Sequence, residues 1–247
     1  MISVIITAFN KPELERSLVE NKELWTDPYY QLILVCNRNK EFLQLLKNIN
    51  AKNYKVIQYD FKKFNKSRAI NIGVYHSNFD IIFLMDADII IKADTLKERK
   101  LSKNEFLTIR KVFESDNNQR VKDGFISEIH NVKRFVTKDG KNIDVPTSSN
   151  YITDGSRSGI GQCTLFKKDF FAVNGMNSNL ENWGWEDCDL FIRLSYIGLS
   201  HDQFGEAIHI SHTNRQVDAN LSNFRHCLAN YYKQNFLGTY DQDIIKF

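Results

Sequence analysis

Ile81-Ile-Phe-Leu-Met-Asp86-Ala-Asp88 is an unbroken apolar run closed by two carboxylates. A run that is apolar at every position reads as a strand buried on both faces, the kind found in parallel sheets covered by helices on either side. Upstream, Ser67 to Tyr75 predicts a helix leading into this strand, and the sequence before it repeats the alternation. Ile2 to Thr7 predicts a first strand, followed by Asn10 as an N-cap, Pro12 in the first helical turn, and Leu14 and Leu18 at helical spacing. Gln31 to Val35 and Lys55 to Tyr59 predict two more strands, separated by a helix from Glu41 to Ile49. This order implies an α/β fold with a Rossmann-like, mostly parallel sheet flanked by helices. Ligands in such sheets sit at the carboxyl ends of strands, which points to the loops after Thr7, Val35 and Met85.

Downstream of Thr95 the periodicity weakens into charged, Asn-rich sequence as far as Arg157, with one turn at Asp139-Gly140 between Arg134-Phe-Val-Thr and Asn142-Ile-Asp-Val. From Gly159 it sharpens into a short helix ending near Gly175, then a helix from Glu186 to Ile197 stopped by Gly198. A last amphipathic helix is expected over Ala219 to Tyr232, with Leu221, Phe224, Leu228 and Tyr231 along its apolar side. The chain therefore reads as one domain over residues 1–247: a half covering about 1–95, an insertion or lid over about 96–157, and a second half over about 158–247.

Composition narrows the function. With 33 Lys and Arg against 30 Asp and Glu, the chain is too evenly charged for a protein whose main partner is a phosphate backbone, so nucleic acid is not an expected partner. Cys36, Cys163, Cys188 and Cys227 are scattered without a Cys-x-x-Cys pair, which suits a reducing compartment. No apolar run approaches the ~20 residues of a membrane span, and the start carries no leader pattern. The expectation is a soluble, cytoplasmic protein; a lipid-linked acceptor would have to be met by peripheral membrane contact, through the basic Lys97-Glu-Arg-Lys-Leu-Ser-Lys segment or the last helix.

Four segments carry chemistry. In an extended chain Asp86 and Asp88 point to the same side and can share a hard divalent cation, although an Asp pair can equally end a strand and cap a turn. In Asn182-Trp183-Gly184-Trp185-Glu186-Asp187-Cys-Asp189-Leu-Phe-Ile-Arg193, the helical spacing places Glu186 and Asp187 in a first turn, where the helix dipole favours an ionised carboxylate able to act as a base. Trp183 and Trp185 flank a flexible Gly184 and offer flat apolar faces to a sugar ring, and Asp189 stands four before Arg193 for a same-face ion pair. His209 and His212, three apart, can reach one metal, and imidazole with carboxylate fits Mn²⁺. Phe64-Asn65-Lys66-Ser-Arg68 opens a helix with polar and basic groups suited to anions and hydroxyls, with Phe64 as a stacking face for a base.

In this order the four segments resemble the GT-A nucleotide-sugar glycosyltransferases. Ser3-Val-Ile-Ile-Thr7-Ala-Phe9-Asn is similar to the nucleotide-binding first strand of the family 2 enzymes. The later part resembles the β-1,4-galactosyltransferases and the galactosyltransferase-like half of bacterial polysaccharide synthases. Phe64-Asn-Lys-Ser-Arg-Ala-Ile-Asn-Ile-Gly resembles their uridine-diphosphate loop and Asp86-Ala87-Asp88 their metal motif. Gly161-Gln-Cys-Thr-Leu-Phe-Lys-Lys-Asp-Phe-Phe-Ala-Val-Asn-Gly175 resembles the segment before their acceptor loop, and Trp183-Gly-Trp-Glu-Asp their acceptor and base site. Where family 2 enzymes often carry Asp-Asp-Gly-Ser, this chain has Val35-Cys-Asn37-Arg38-Asn, which moves the uracil contact to Asn37.

The resemblance implies a GT-A fold with an acceptor-side lobe and an inverting, metal-dependent transfer from a UDP-sugar to a saccharide or glycoconjugate. It implies Asp88, His209 and His212 as ligands of Mn²⁺ or Mg²⁺, and Asp86 on the ribose or a metal-bound water. Thr7, Phe9, Asn37, Phe64, Asn65, Lys66, Arg68, Asp86, Ala87 and Gly161 would bind the nucleotide sugar, and Trp183, Gly184, Trp185 and Glu186 the acceptor. Asp187 would be the catalytic base, assisted by Glu186. A retaining transferase of the same fold is the alternative within enzymes, against which Asp187 argues where retaining relatives carry an Asn. A catalytically silent saccharide- or nucleotide-binding module is the alternative from another class.

Overall fold

The computed structural model describes residues 1–37, 39–59, 63–116, 128–151, 154–182, 184–212 and 221–247. The chain begins with β1 (Ile2–Ala8), α1 (Glu13–Glu20), α2 (Lys22–Thr26), β2 (Tyr30–Cys36), α3 (Asn39–Asn48), β3 (Tyr54–Gln58), α4 (Lys66–Tyr75) and β4 (Ile81–Asp86). It continues through β5 (Ile89–Ile90), α5 (Thr95–Glu98), β6 (Glu105–Glu114), β7 (Glu128–Val136), β8 (Asn142–Tyr151) and β9 (Ser156–Phe166). Last come α6 (Lys167–Ala172), α7 (Glu186–Tyr196), β10 (Ser200–His209), α8 (Leu221–Tyr232) and α9 (Tyr240–Ile245).

The strands form one sheet in the order β3-β2-β1-β4-β9-β6-β10-β5, and the β7–β8 hairpin joins it through β9. β3, β2, β1 and β4 are mutually parallel; β9 runs against β4 and β6; β10 runs parallel to β6 and against β5. Along this path only β9 and β5 therefore oppose the common direction. The carboxyl ends of β1, β2, β4, β6 and β10 consequently open on one rim of the sheet, with Thr7 level with both Val35 and Asp86, and His209 level with Glu114 and Ile89.

Apolar residues of β1 alternate between two cores. Val4 and Ile6 pack with Leu14, Leu18 and Trp25 on one face, and Ile5 packs with Ile70, Ile72 and Leu190 on the other. Burial on both faces explains why these strands are apolar without alternation. Gly73 lets α4 approach closely, since a Cβ there would lie 2.5 Å from Ile5 Cγ2.

Several local readings change. Asn10 adopts φ 51° and pairs with Asn37 instead of capping a helix, and α1 starts after Pro12. Asn tolerates the left-handed region that this bend requires. The turn at Asp139-Gly140 closes the β7–β8 hairpin, with Gly140 at φ 79°. Residues 96–157 supply β6 to the interior of the sheet as well as that hairpin. In α8 the expected apolar side is rotated: Leu221 is 62% and Leu228 39% exposed, while Asn223 and Cys227 are buried. Ala219, where this helix was expected to begin, lies outside the described residues. No helix among the described residues is long and apolar enough to cross a membrane. The charge of the Lys97–Lys103 segment is partly spent internally, with Lys97 on Asp27 and Arg99 on Glu105 and Asp202.

Candidate active site

At the rim, the chain leaves β4 at Asp86 into a turn, so Asp86 and Asp88 do not continue as an extended pair. Their carboxylates part, and the expectation that they share one ligand gives way to two separate clusters. Asp88 joins His209 and His212: its Oδ2 lies 3.2 Å from His212 Nε2 and 3.6 Å from His209 Nε2. The backbone fixes this meeting, because Ile210 N–H donates to the Asp88 carbonyl at 2.8 Å. One atom from each of the three residues lies within 4.8 Å of the others, a spacing that one cation can span. Glu114 Oε2, 2.7 Å from His209 Nδ1, orients that ring and leaves Nε2 facing the cluster, as a carboxylate behind a metal-binding imidazole does. The donor set, one carboxylate and two imidazoles, fits Mn²⁺. Burial opposes ionisation of Asp88, but His209, Lys11 and His212 outweigh it and hold the carboxyl well below its ordinary range. His209 is raised, because Asp88 and Glu114 overcome the burial that disfavours its cation.

The second cluster gathers around Lys66, at the start of α4. Its Nζ stands 2.9 Å from Asp86 Oδ1 and 3.5 Å from Asp187 Oδ2, and Gln162 Nε2 donates to Asp86 Oδ2 at 2.8 Å. Gly161 makes room for this convergence: a Cβ on it would fall 2.5 Å from Asp86 Oδ2 and 3.6 Å from Asp187 Oδ2. Burial pushes the Asp187 carboxyl up to about 7; Glu186 and Asp86 push the same way, and Lys66 pulls against them. Lys66 is itself raised, its burial outweighed by Asp187, Asp86 and Glu186.

Asp187 and Glu186 open α7, as the spacing implied, after a loop with Asn182, Gly184 and Trp185 at φ 64°, 105° and 74°. A bulky residue at such an angle costs about 1–3 kcal/mol and persists only where its surroundings hold it. Here Asn223 Nδ2 donates to the carbonyls of Glu181 and Gly184 at 3.0 and 2.8 Å, and the Trp185 ring stacks on Phe224 at 4.5 Å. The inward turn of α8 is thus set by a polar residue that holds this loop. Glu186 is 5% exposed, and its Oε2 has no hydrogen-bond partner among the described residues. Trp183 lies outside the described residues.

The remaining residues divide. Thr7 and the buried Ala87 lie beside Asp86 at the rim. Phe9 and Phe64 stack on each other at 5.6 Å and 16°, with the Tyr59 ring edge-on to Phe64. Asn37 donates to Asn10 Oδ1 at 2.8 Å. Asn65 caps α4 by accepting from Arg68 N–H and donates to the carbonyls of Ser178 and Leu180, tying the helix to the loop before α7. Arg68 turns to the buried Asp243 of α9 at 3.0 Å, an anchor for the carboxyl-terminal segment. Sequence reading missed Glu114, Lys11 and Gln162. Only Gln162 carried a signal, as the neighbour of Gly161.

Three solved structures share this fold. A structure of GalNAc-T7 with UDP, GalNAc and Mn²⁺ matches 95% of this chain and 49% of its own, with TM-score 0.64 and 13% identity. This chain thus spans about half the length of GalNAc-T7. The catalytic domain of Drosophila β1,4-galactosyltransferase 7, in complex with xylobiose, matches over 92% and 79%, with TM-score 0.52 and 15% identity. S. aureus TarS 1–349 matches over 92% and 63%, with TM-score 0.55 and 13% identity. All three are GT-A glycosyltransferases. No curated protein matches the chain. Residues 148–216, which span Gly161, Asp187, His209 and His212, match the N-terminal domain of galactosyltransferase. Residues 3–171, more than half of the chain, match glycosyl transferase family 2, and the chain belongs to that family.

Proposed function

We propose that the chain is an inverting, cation-dependent glycosyltransferase that moves a sugar from a UDP-sugar to a saccharide acceptor, with Asp187 as general base. The observation that carries this reading is the Asp187 carboxyl, pushed up to about 7 and set against Asp86 and Lys66 at the rim of the sheet. A base whose pKa lies near the working pH combines a useful ionised fraction with real proton affinity.

A divalent cation on Asp88, His209 and His212, Mn²⁺ in preference to Mg²⁺, would supply positive charge against the leaving diphosphate. The rest falls to side chains. Asp187 takes the proton of the acceptor hydroxyl as that oxygen bonds to the anomeric carbon. The bond from this carbon to the diphosphate oxygen breaks, and its electron pair leaves with UDP. One displacement inverts the centre, giving a β-linked product from an α-linked donor. Glu186, whose Oε2 has no hydrogen-bond partner among the described residues, would hydrogen-bond the acceptor, with Trp183, Gly184 and Trp185 as the other acceptor-side residues. Thr7, Phe9, Asn37, Phe64, Asn65 and Ala87 supply the nucleotide side, Asp86 the ribose side, and Arg68 the anchoring of the loop beneath it. The four cysteines form no disulfide with one another, in keeping with a reducing, cytoplasmic setting.

The test is UDP release from a panel of UDP-sugars with and without saccharide acceptors, followed by proton NMR of the product. EDTA should abolish transfer, Mn²⁺ should restore it, and the new linkage should show a β-anomeric coupling. Full activity in EDTA, or an α-linked product, overturns the reading.

A further inference from the structure

The β7–β8 hairpin carries three exposed lysines, Lys133, Lys138 and Lys141, whose ammonium groups meet no carboxylate at ion-pair distance among the described residues. The three hairpin lysines lie against aromatic rings along the side of α7 and α8. Lys133 Nζ is 4.5 Å from the Trp185 ring centre and 4.8 Å from that of Phe224. Those two rings stack on each other at 4.5 Å, so the one ammonium contacts both members of the pair. Lys138 Nζ is 4.9 Å from the Tyr232 ring, and Lys141 Nζ is 5.1 Å from the Tyr196 ring and donates to the Tyr196 carbonyl.

Trp185 immediately precedes Glu186, and Tyr196 ends the same helix, so the line from Lys133 to Lys141 runs about 16 Å along α7, at ~1.5 Å per residue, away from the reaction centre. Ring contacts keep the lysine stems extended, and although Asp139 lies beside Lys141, no carboxylate among the described residues holds any of the three ammonium groups at ion-pair distance, which leaves them able to meet an external anion. A neutral sugar chain has no use for three such cations in a row. We propose that the acceptor is an anionic glycan, a hydroxyl-rich chain bearing repeated carboxylates or phosphates, whose reacting unit lies beside the Trp185–Phe224 stack and whose charges follow Lys133, Lys138 and Lys141. The proposal deepens the glycosyltransferase reading and rests on it.

The experiment titrates the full chain, with UDP and Mn²⁺ present, against hexagalacturonate, its carboxyl-reduced galactose hexamer, and a glycerol phosphate hexamer. At least one anionic oligomer should bind ten-fold or more tightly than the neutral hexamer at low salt, with an advantage that shrinks as salt rises. Preference for the uronate or for the phosphate oligomer identifies the source of the anion. Lys133→Gln, Lys138→Gln and Lys141→Gln together should abolish the preference. Lys40→Gln, Lys47→Gln and Lys52→Gln, an equal loss of charge elsewhere, should keep it. No preference, no binding of either anionic oligomer, or equal loss in both triple variants overturns the inference. Binding of UDP with Mn²⁺ by the wild-type chain, measured alongside, tests the underlying reading. A protein that binds UDP but shows no charge preference loses the acceptor inference alone.

Discussion

Lys66 holds its ammonium 3.5 Å from Asp187 Oδ2 while gripping Asp86 at 2.9 Å, so one cation bridges the carboxylate at the end of β4 and the proposed base at the start of α7. It opposes the burial that raises Asp187, whose carboxyl still lies at about 7. A base must be ionised to act, so kcat/KM should climb with pH and level off above about 7. In Lys66→Gln the opposing charge is gone, the Asp187 pKa rises further, and this acid limb should move to higher pH by roughly 1–3 units. The midpoint of the limb is the readout, since any loss of donor contact lowers its height without moving it. A midpoint that stays or falls would show that Lys66 does not govern Asp187.

Gly161→Ala tests how closely the second cluster is packed. The new Cβ would meet Asp86 Oδ2 at 2.5 Å, so the carboxylate must leave Lys66 and Gln162. Misplacement on the order of 1 Å at a reacting centre can cost about 10²-fold, and a loss of that size in kcat/KM is expected with an unchanged fold. The clash is isolated by repeating the substitution in an Asp86→Ala background, where it should cost little. An equal cost in both backgrounds would assign the effect to the backbone.

Glu114→Gln keeps the shape behind His209 but removes the charge 2.7 Å from Nδ1. Partners behind a metal-binding imidazole commonly contribute 10- to 100-fold to metal affinity. Titration of the variant with Mn²⁺, followed by electron paramagnetic resonance of the free ion, should show weakening in that range. Unchanged affinity would mean that His209 does not ligate through Nε2.

Much of this site was legible because strand ends are legible. The apolar runs of β1, β2 and β4 needed no alternation to be recognised, and Asp88 stands just past β4, His209 at the end of β10 and the Glu186–Asp187 pair at the start of α7. β9 was hidden by its own composition: Ser156-Arg-Ser-Gly-Ile-Gly-Gln has two glycines and little β-branching, yet it fills the gap between β4 and β6. Glu114 went with it, as the last residue of a strand set in charged sequence. α8 was misread because Asn223 turns inward for the carbonyls of Glu181 and Gly184, contacts that periodicity cannot express. Asp86 parted from Asp88 for a similar reason, a turn where the pattern implied extension.

The pairing of Asp189 with Arg193 was visible as helical spacing, but not its depth. Both residues are 1% exposed, Arg193 Nε donates to Asp189 Oδ2 at 2.9 Å, and the same guanidinium donates to the carbonyls of Val173 and Gly175. Tyr231 donates to the other Asp189 oxygen at 2.6 Å. Asp189→Ala would leave a buried cation uncompensated, a loss of about 3–5 kcal/mol. At ~2–4 °C per kcal/mol for a chain of this size, the melting temperature should fall by roughly 6–20 °C. A fall of only a degree or two by calorimetry would mean that water reaches Arg193.

Asp187→Asn separates mechanism from architecture. The amide matches the carboxylate in size at the second position of α7 but has no basic oxygen, so loss of general-base help should lower kcat by roughly 10²- to 10⁴-fold. UDP affinity in the presence of Mn²⁺ should change little, since Asp88, His209 and His212 belong to the other cluster. Lys66 complicates the comparison, because its ammonium loses one of two carboxylates and leans more on Asp86, so UDP affinity and thermal melts are measured on the same preparation. Glu186→Gln should differ: its buried Oε2 has no hydrogen-bond partner among the described residues, and if it serves the acceptor its replacement should raise the acceptor KM more than it lowers kcat. If Asp187→Asn turns over near the wild-type rate, or loses activity only in proportion to its melting, Asp187 is a helix-start acid held by Lys66 and the base must be sought elsewhere on the rim.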